Sequence, residues 1–103
     1  MFLSREKLVR DKVPEILRST GRAPEIRIAS ADELDLLLRE KLVEEASELL
    51  ESGSLEELAY ILEVMRKLLE IRNTSMRRLQ SLRARKRDER GGFDRGFVLH
   101  LAD

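Results

Sequence analysis

The sequence predicts an all-α fold, an antiparallel helical hairpin completed into a four-helix bundle by dimerisation, with room for short β-strands toward either end. Three observations carry this reading. Charged residues make up 39% of the chain and aromatic residues 4%, with no Trp, a balance that suits helices with ion-paired surfaces better than a sandwich or barrel. Two sequences of the capping-box type each open an apolar run at helical spacing. The second of those runs is apolar on two sides, which is more than one hairpin can cover.

In chain order, Asp11 is placed to cap a short helix through Pro14, Ile16 and Leu17 that closes at Gly21, with Pro14 acceptable in the first turn. Ile26 and Ile28 alternate with polar residues and read as a short strand. Ser30-Ala31-Asp32-Glu33 is a capping box, and Leu34, Leu38, Leu42, Ala46, Leu49 and Leu50 then keep helical spacing until Gly53 stops them, a helix over about 31–52. Ser54-Leu55-Glu56-Glu57 reads as a second box, opening Leu58, Ala59, Leu62, Met65 and Leu69, with the pattern lasting to about Arg72. So short a connection makes the two helices an antiparallel hairpin. A third helix over about 75–90 carries a thin stripe of Met76, Leu79 and Leu82 and ends at Gly91-Gly92. Phe97-Val98-Leu99-His100-Leu101 is β-prone and could pair with the 26–28 strand.

A chain of 103 residues makes one domain, of a size that buries only about two thirds of its unfolded surface and gains from a partner. No Cys and a single His, His100, exclude soft-ligand zinc and iron–sulfur sites as well as thiol chemistry. Any metal here is hard and oxygen-bound. Met1-Phe2-Leu3 meets charge at once in Arg5, Glu6 and Lys7, and the uncharged stretch Phe97–Ala102 is far too short for a span, so neither a signal peptide nor a membrane helix is expected and the cytoplasm is the expected location. Net charge is zero, but residues 1–31, 32–70 and 71–103 carry +3, −8 and +5, an acidic centre between basic flanks.

Six carboxylates fall between Glu44 and Tyr60. On a wheel with Leu42 at zero, the apolar arc of the first long helix runs from about −80° to about +80°, and Glu45 lies inside it at about −60°. Glu48 and Lys41 lie on its edge and Glu44 farther round. A buried, unpaired carboxylate must neutralise or find a cation, so Glu45 wants a partner. On the next helix Glu57 projects into the second apolar arc, formed by Ile61, Val64, Leu68 and Ile71, with Tyr60 at its boundary. One role open to Glu57 is merely to close the capping box by bonding the Ser54 N–H. The other is to face Glu45 and Glu48 across the hairpin in an oxygen-only cluster of the kind that holds Mg²⁺ or Mn²⁺ beside a phosphate.

Four ordered blocks, KLVRDKVPEIL (Lys7–Leu17), REKLVEEASELL (Arg39–Leu50), LEELAYILEV (Leu55–Val64) and RKRDERGGFDRGFVL (Arg85–Leu99), resemble the small MazG-like members of the all-α nucleotide pyrophosphohydrolases, often described as phosphoribosyl-ATP pyrophosphohydrolase-like. The resemblance covers nearly the whole chain, so 1–103 is read as a single domain of that type. It implies a dimeric or higher helical assembly in which Mg²⁺, held by carboxylates, assists water in splitting a nucleoside triphosphate into monophosphate and pyrophosphate. The family motif is E-E-x-x-E followed by E-x-x-D on the next helix. Carried over, Glu44 and Glu45 are implied in catalysis, and Glu45, Glu48 and Glu57 as metal ligands. Lys7, Arg10, Lys12, Lys41, Lys86, Arg87 and Arg90 are the cations available to bind phosphate. Tyr60 stands where the family has its second-motif aspartate, and a neutral phenol is a poor ligand for a hard cation.

Two functions therefore stand side by side. One is a Mg²⁺-dependent nucleoside triphosphate pyrophosphohydrolase, a house-cleaning enzyme for non-standard nucleotides. The other is a catalytically impaired relative that binds nucleotide or only dimerises. Nucleic-acid binding through the cations of 72–90 ranks last, because that helix lacks interleaved aromatics and the chain is neutral overall. His100 is read as structural.

Overall fold

The computed structural model describes residues 6–102. The expectation of no signal peptide, drawn in part from Met1–Arg5, lies outside the described residues. Four helices follow one another, α1 (Val13–Ser19), α2 (Ala31–Ser52), α3 (Leu55–Ile71) and α4 (Met76–Arg90), and there is no strand among the described residues.

Local chemistry places most boundaries. The Ser30 hydroxyl accepts from the Glu33 N–H at 3.3 Å while the Glu33 carboxylate accepts from the Ser30 N–H at 2.9 Å, a complete capping box for α2. At the other end Gly53 turns left-handed, with φ 62° and ψ 18°, and its N–H donates to the Leu49 carbonyl at 2.8 Å. This satisfies an end carbonyl that would otherwise lack a partner, and glycine does it without Cβ strain. Ser75 caps α4 by accepting from the Arg78 N–H at 3.2 Å. The cap foreseen for α1 is corrected: Lys12 occupies the N-cap position with no side-chain cap bond, so Asp11 stands one residue too early, and Pro14 in the first turn serves the start of the helix.

The packed unit is the α2–α3 hairpin. Its closed end is the Gly53–Ser54 connection. Its open end is held by Asp35 in the second turn of α2, which accepts from Arg72 Nε at 2.7 Å and Nη2 at 3.0 Å at the end of α3. Arg72, first, and Arg39 hold the Asp35 carboxyl at about 2, well below its ordinary value. The segment before α2 is tied on by Arg27, which bridges Glu6 at 2.8 Å and Glu33 at 2.5 Å. These pairs are exposed, so solvent screens them and they add little to stability. Their effect is on alignment.

Much apolar surface stays uncovered. Leu38 is the one buried hydrophobic residue among those described. Leu36, Val43 and Leu50 line an exposed stripe on α2, and Leu55, Leu58 and Leu62 another on α3. The half-buried arc of α3, Ile61, Val64 and Leu68, is the one that holds Glu57. The radius of gyration is 17.6 Å, against about 13 Å for a compact chain of this length. Neither α4 nor α1 packs substantially on the hairpin.

The expected strands are corrected. Residues 26–28 and 97–101 are irregular and Ile28, Phe97, Val98, Leu99 and Leu101 are exposed. A β-prone segment needs a neighbouring edge to receive its backbone hydrogen bonds, and these two form no ladder. His100 sits in that exposed stretch and has no packing role.

Because Gly53 is left-handed and a Cβ there would meet nothing within 4 Å, Gly53→Ala carries backbone strain without a clash. It should cost about 1 kcal/mol, measured by urea denaturation. An unchanged midpoint would show that the turn relaxes freely.

Candidate metal centre

Glu45 sits on the face of α2 that turns toward α3, and it is only 8% exposed. Helical phase put it there, since Leu38 and Leu42 lie on the same side. Lys41, one turn earlier, comes within 3.7 Å of Glu45 Oε1. Glu45 Oε2 is buried and has no hydrogen-bond partner among the described residues.

Glu57 reaches the same place because its capping role is taken by something else. The Ser54 hydroxyl accepts from the Glu56 N–H at 3.2 Å, and the Ser54 N–H donates to Ser52 Oγ at 3.1 Å. The second capping box is therefore not formed, and the Glu57 carboxylate turns into the hairpin. Its Oε2 is also buried and unpartnered among the described residues.

Together with Glu48, on the exposed edge of α2, these residues place three carboxylate oxygens within 4.8 Å of one another. Oxygens on opposite sides of an octahedral Mg²⁺ stand roughly 4 Å apart, two bonds of about 2.0–2.1 Å each. A small side-chain adjustment would bring the three onto a single ion. Without a cation the arrangement is costly: burial first, then the Glu45 carboxyl sharing a hydrogen and the Glu48 and Glu45 charges, push the Glu57 carboxyl up to about 7. The donor set, hard oxygens with two orphaned atoms aimed inward, fits a divalent cation. Glu48 also lines a shallow opening of about 440 Å³ with Glu51, Ser52 and Glu57, giving access from solvent.

Glu44 stays outside the triad. Lys7 Nζ lies 2.7 Å from its Oε1 and Lys41 Nζ 3.4 Å from its Oε2. Burial alone would raise the Glu44 carboxyl, but the Lys7 hydrogen bond and the Lys41 charge outweigh it and leave it below the ordinary range. Lys7 is raised in turn, chiefly by its hydrogen bond to Glu44. Lys7, Lys41, Glu44 and Glu48 share a groove of about 370 Å³ with Leu37 and Glu40.

Among the other cations, Arg10 lies over the Tyr60 ring, its Cζ 5.7 Å from the centroid. Lys12 is exposed at the start of α1. Lys86, Arg87 and Arg90 are not brought to the cluster within this chain: Lys86 pairs with Glu89 at 3.5 Å, Arg87 with Asp94 at 2.8 Å, and α4 does not pack on the hairpin. Sequence reasoning missed the Arg10–Tyr60 contact and the Arg27 and Arg72 bridges. Each joins residues from separate segments of the chain, and no local spacing signals them.

No protein-family model matches the chain, and no solved structure matches it. A protein of Mycolicibacterium smegmatis (strain ATCC 700084 / mc(2)155), described as uncharacterized, is 51% identical over 43 residues, 42% of this chain. The match takes in 44% of that relative, less than half its length.

The cluster couples proton binding to folding. In the unfolded chain Glu57 titrates near its ordinary 4.5, in the folded chain near 7, so the folded state binds the proton more tightly. Its contribution is fully present below about pH 4.5 and is lost as pH rises through 7. Glu33 and Asp35, both lowered to about 2, act in the opposite sense and only at more acid pH. With a chelator present, the melting temperature should fall between about pH 5 and 7.5, and Glu57→Gln should flatten that fall and melt higher than wild type at about pH 8. Circular dichroism across this range checks it. A flat wild-type profile would show that the carboxylates are not in contact in solution.

Proposed function

We propose that this chain is a divalent-metal-dependent nucleotide pyrophosphohydrolase that works as a homodimer, with Mg²⁺ or Mn²⁺ at Glu45, Glu48 and Glu57. The observation that carries the reading is a pair of buried, unpartnered carboxylate oxygens, Oε2 of the 8%-exposed Glu45 and Oε2 of Glu57, in residues that with Glu48 bring three carboxylate oxygens within 4.8 Å of one another. No helix among the described residues is long and apolar enough to cross a membrane. The four sequence blocks that resemble the MazG-like enzymes supply the reaction type.

A bound Mg²⁺ would neutralise phosphate charge and make its water more acidic. Glu45, Glu48 and Glu57 would hold the ion in the seam, while Glu44 anchors Lys7 and Lys41 alongside. In the reaction a water oxygen bonds to the α-phosphorus, the bond to the bridging oxygen breaks, pyrophosphate leaves with the electron pair, and a proton passes to solvent. Tyr60 supports the second reading, a relative that binds nucleotide without turning it over, since one carboxylate of the family motif is missing.

Mn²⁺ titration followed by calorimetry should give a site in wild type that Glu45→Gln weakens at least about tenfold, because removing one of three charged ligands strips both charge and geometry. Equal binding would return Glu45 to a structural role. Pyrophosphate release from a nucleotide panel with Mg²⁺ and Mn²⁺ separates enzyme from impaired relative: release that Glu45→Gln abolishes supports the first reading, and metal binding without release supports the second.

The dimer is supported by the bare stripes of α2 and α3. Leu55 is 80% and Leu50 87% exposed, and pairing two hairpins into a four-helix bundle would cover such surfaces. Sedimentation at micromolar concentration should report at least twice the 12.0 kDa chain mass, and Leu62→Asp should shift it toward monomer. A folded wild-type monomer would end the bundle reading.

A further inference from the structure

Lys7-Leu8-Val9-Arg10 crosses the seam of the hairpin. At one end Lys7 Nζ sits 2.7 Å from Glu44 on α2, and at the other the Arg10 guanidinium lies over Tyr60 on α3. Tyr60 comes three residues after Glu57, so ring and carboxylate are neighbours on one helix face. The strap thus sets Lys7 beside the carboxylate triad on the α2 side and Arg10 over Tyr60, one turn past Glu57, on the α3 side.

The two cations are held differently. Lys7 spends its charge on Glu44. Arg10 has no ion pair or hydrogen bond to any described residue; its charge helps lower the Glu63 carboxyl, but Glu63 is engaged by Arg66 at 3.0 Å. A guanidinium has five N–H donors in a planar fork. An aromatic ring attracts the charge without accepting any of those hydrogen bonds. A carboxylate at position 60 would do the reverse, capturing the fork and occupying its donors. The ring, 38% exposed, therefore presents Arg10 with its hydrogen-bonding capacity open to solvent.

We propose that Tyr60 is a positioning residue that holds Arg10, donors free, as the anion-binding arm of the site, receiving the oligophosphate part of a substrate laid between Arg10 and Lys7 along the carboxylate cluster. The proposal deepens the pyrophosphohydrolase reading and rests on its metal site. It makes Tyr60 a functional exchange: a ligand for the cation is given up for a platform that serves the anion. Charged, forked hydrogen bonds to phosphate are the strong kind, and the loss of one such arm is expected to cost about tenfold in affinity.

The test is calorimetric binding of inorganic tripolyphosphate, presented as its Mg²⁺ complex, to the full chain. Arg10→Gln should weaken it about tenfold and Tyr60→Leu nearly as much, while Tyr60→Phe, which keeps the ring, should stay within about twofold of wild type. Arg10→Gln combined with Tyr60→Leu should be no weaker than Arg10→Gln alone, because the ring acts through the guanidinium. A merely structural Tyr60 would lower the melting temperature while leaving tripolyphosphate affinity unchanged, and that result overturns the proposal. So does wild-type affinity in Arg10→Gln, a wild type that binds no tripolyphosphate, or losses that add in the double variant. Mn²⁺ titration without the anion keeps the two readings apart: the Arg10 and Tyr60 variants should bind Mn²⁺ as wild type does, and absence of a Glu45-dependent Mn²⁺ site would fail the metal reading whatever the anion data show.

Discussion

The seam between α2 and α3 buries more negative charge than it neutralises, and the rest of the molecule is arranged around that imbalance. Two helices that met only through leucines would be a simpler hairpin. Here Glu45 is placed among the leucines by helical phase, Glu57 turns in from the opposite helix, and Lys41 is the basic side chain that pairs with Glu45. The repulsion cannot be relieved by letting the helices slide, because the Gly53 turn pins one end and the Asp35–Arg72 pair the other. The remaining relief is to bind a proton, which the raised Glu57 carboxyl does, or a cation. The cluster thus sets a local electrostatic cost at the place where a cation could relieve it.

The legible part of this structure is local. Ser30 with Glu33, Gly53 and the apolar spacing of both long helices are readable because caps and phase depend on residues within a turn or two of each other. The inward turn of Glu45 is readable for the same reason. Features that depend on neighbours in space do not show. Ser54-Leu55-Glu56-Glu57 has the letters of a capping box, yet Ser52 takes the Ser54 N–H and frees Glu57 for the cluster. The 26–28 and 97–101 segments have strand composition but no edge to join. Asp11 has the chemistry of a cap but stands one position early.

The pairing of Arg10 with Tyr60 illustrates the limit from the other side. As a sequence feature, Tyr60 is an aromatic residue one turn after Glu57, and nothing in the spacing names a partner for it. In the folded chain it has its own partner, delivered from the N-terminal strap across the hairpin. The same strap delivers Lys7 to Glu44. A residue without an evident role along one helix is thus a contact in three dimensions, made with a residue fifty positions away.

The two-residue connection at Gly53–Ser54 has a further implication, for how the gene can change. Between Glu45 and Glu57 the chain spends every residue on helix except those two, and each residue added to or removed from a helix rotates the remainder of that helix by about 100°. An insertion or deletion in this window would carry Glu57 out of the seam even if every side chain kept its identity. Replacement of the exposed Glu51, Leu55 or Glu56 would leave the phase untouched. Length, more than composition, is the information this stretch carries, and even a reading-frame-preserving indel here does more damage than a substitution at one of its exposed positions.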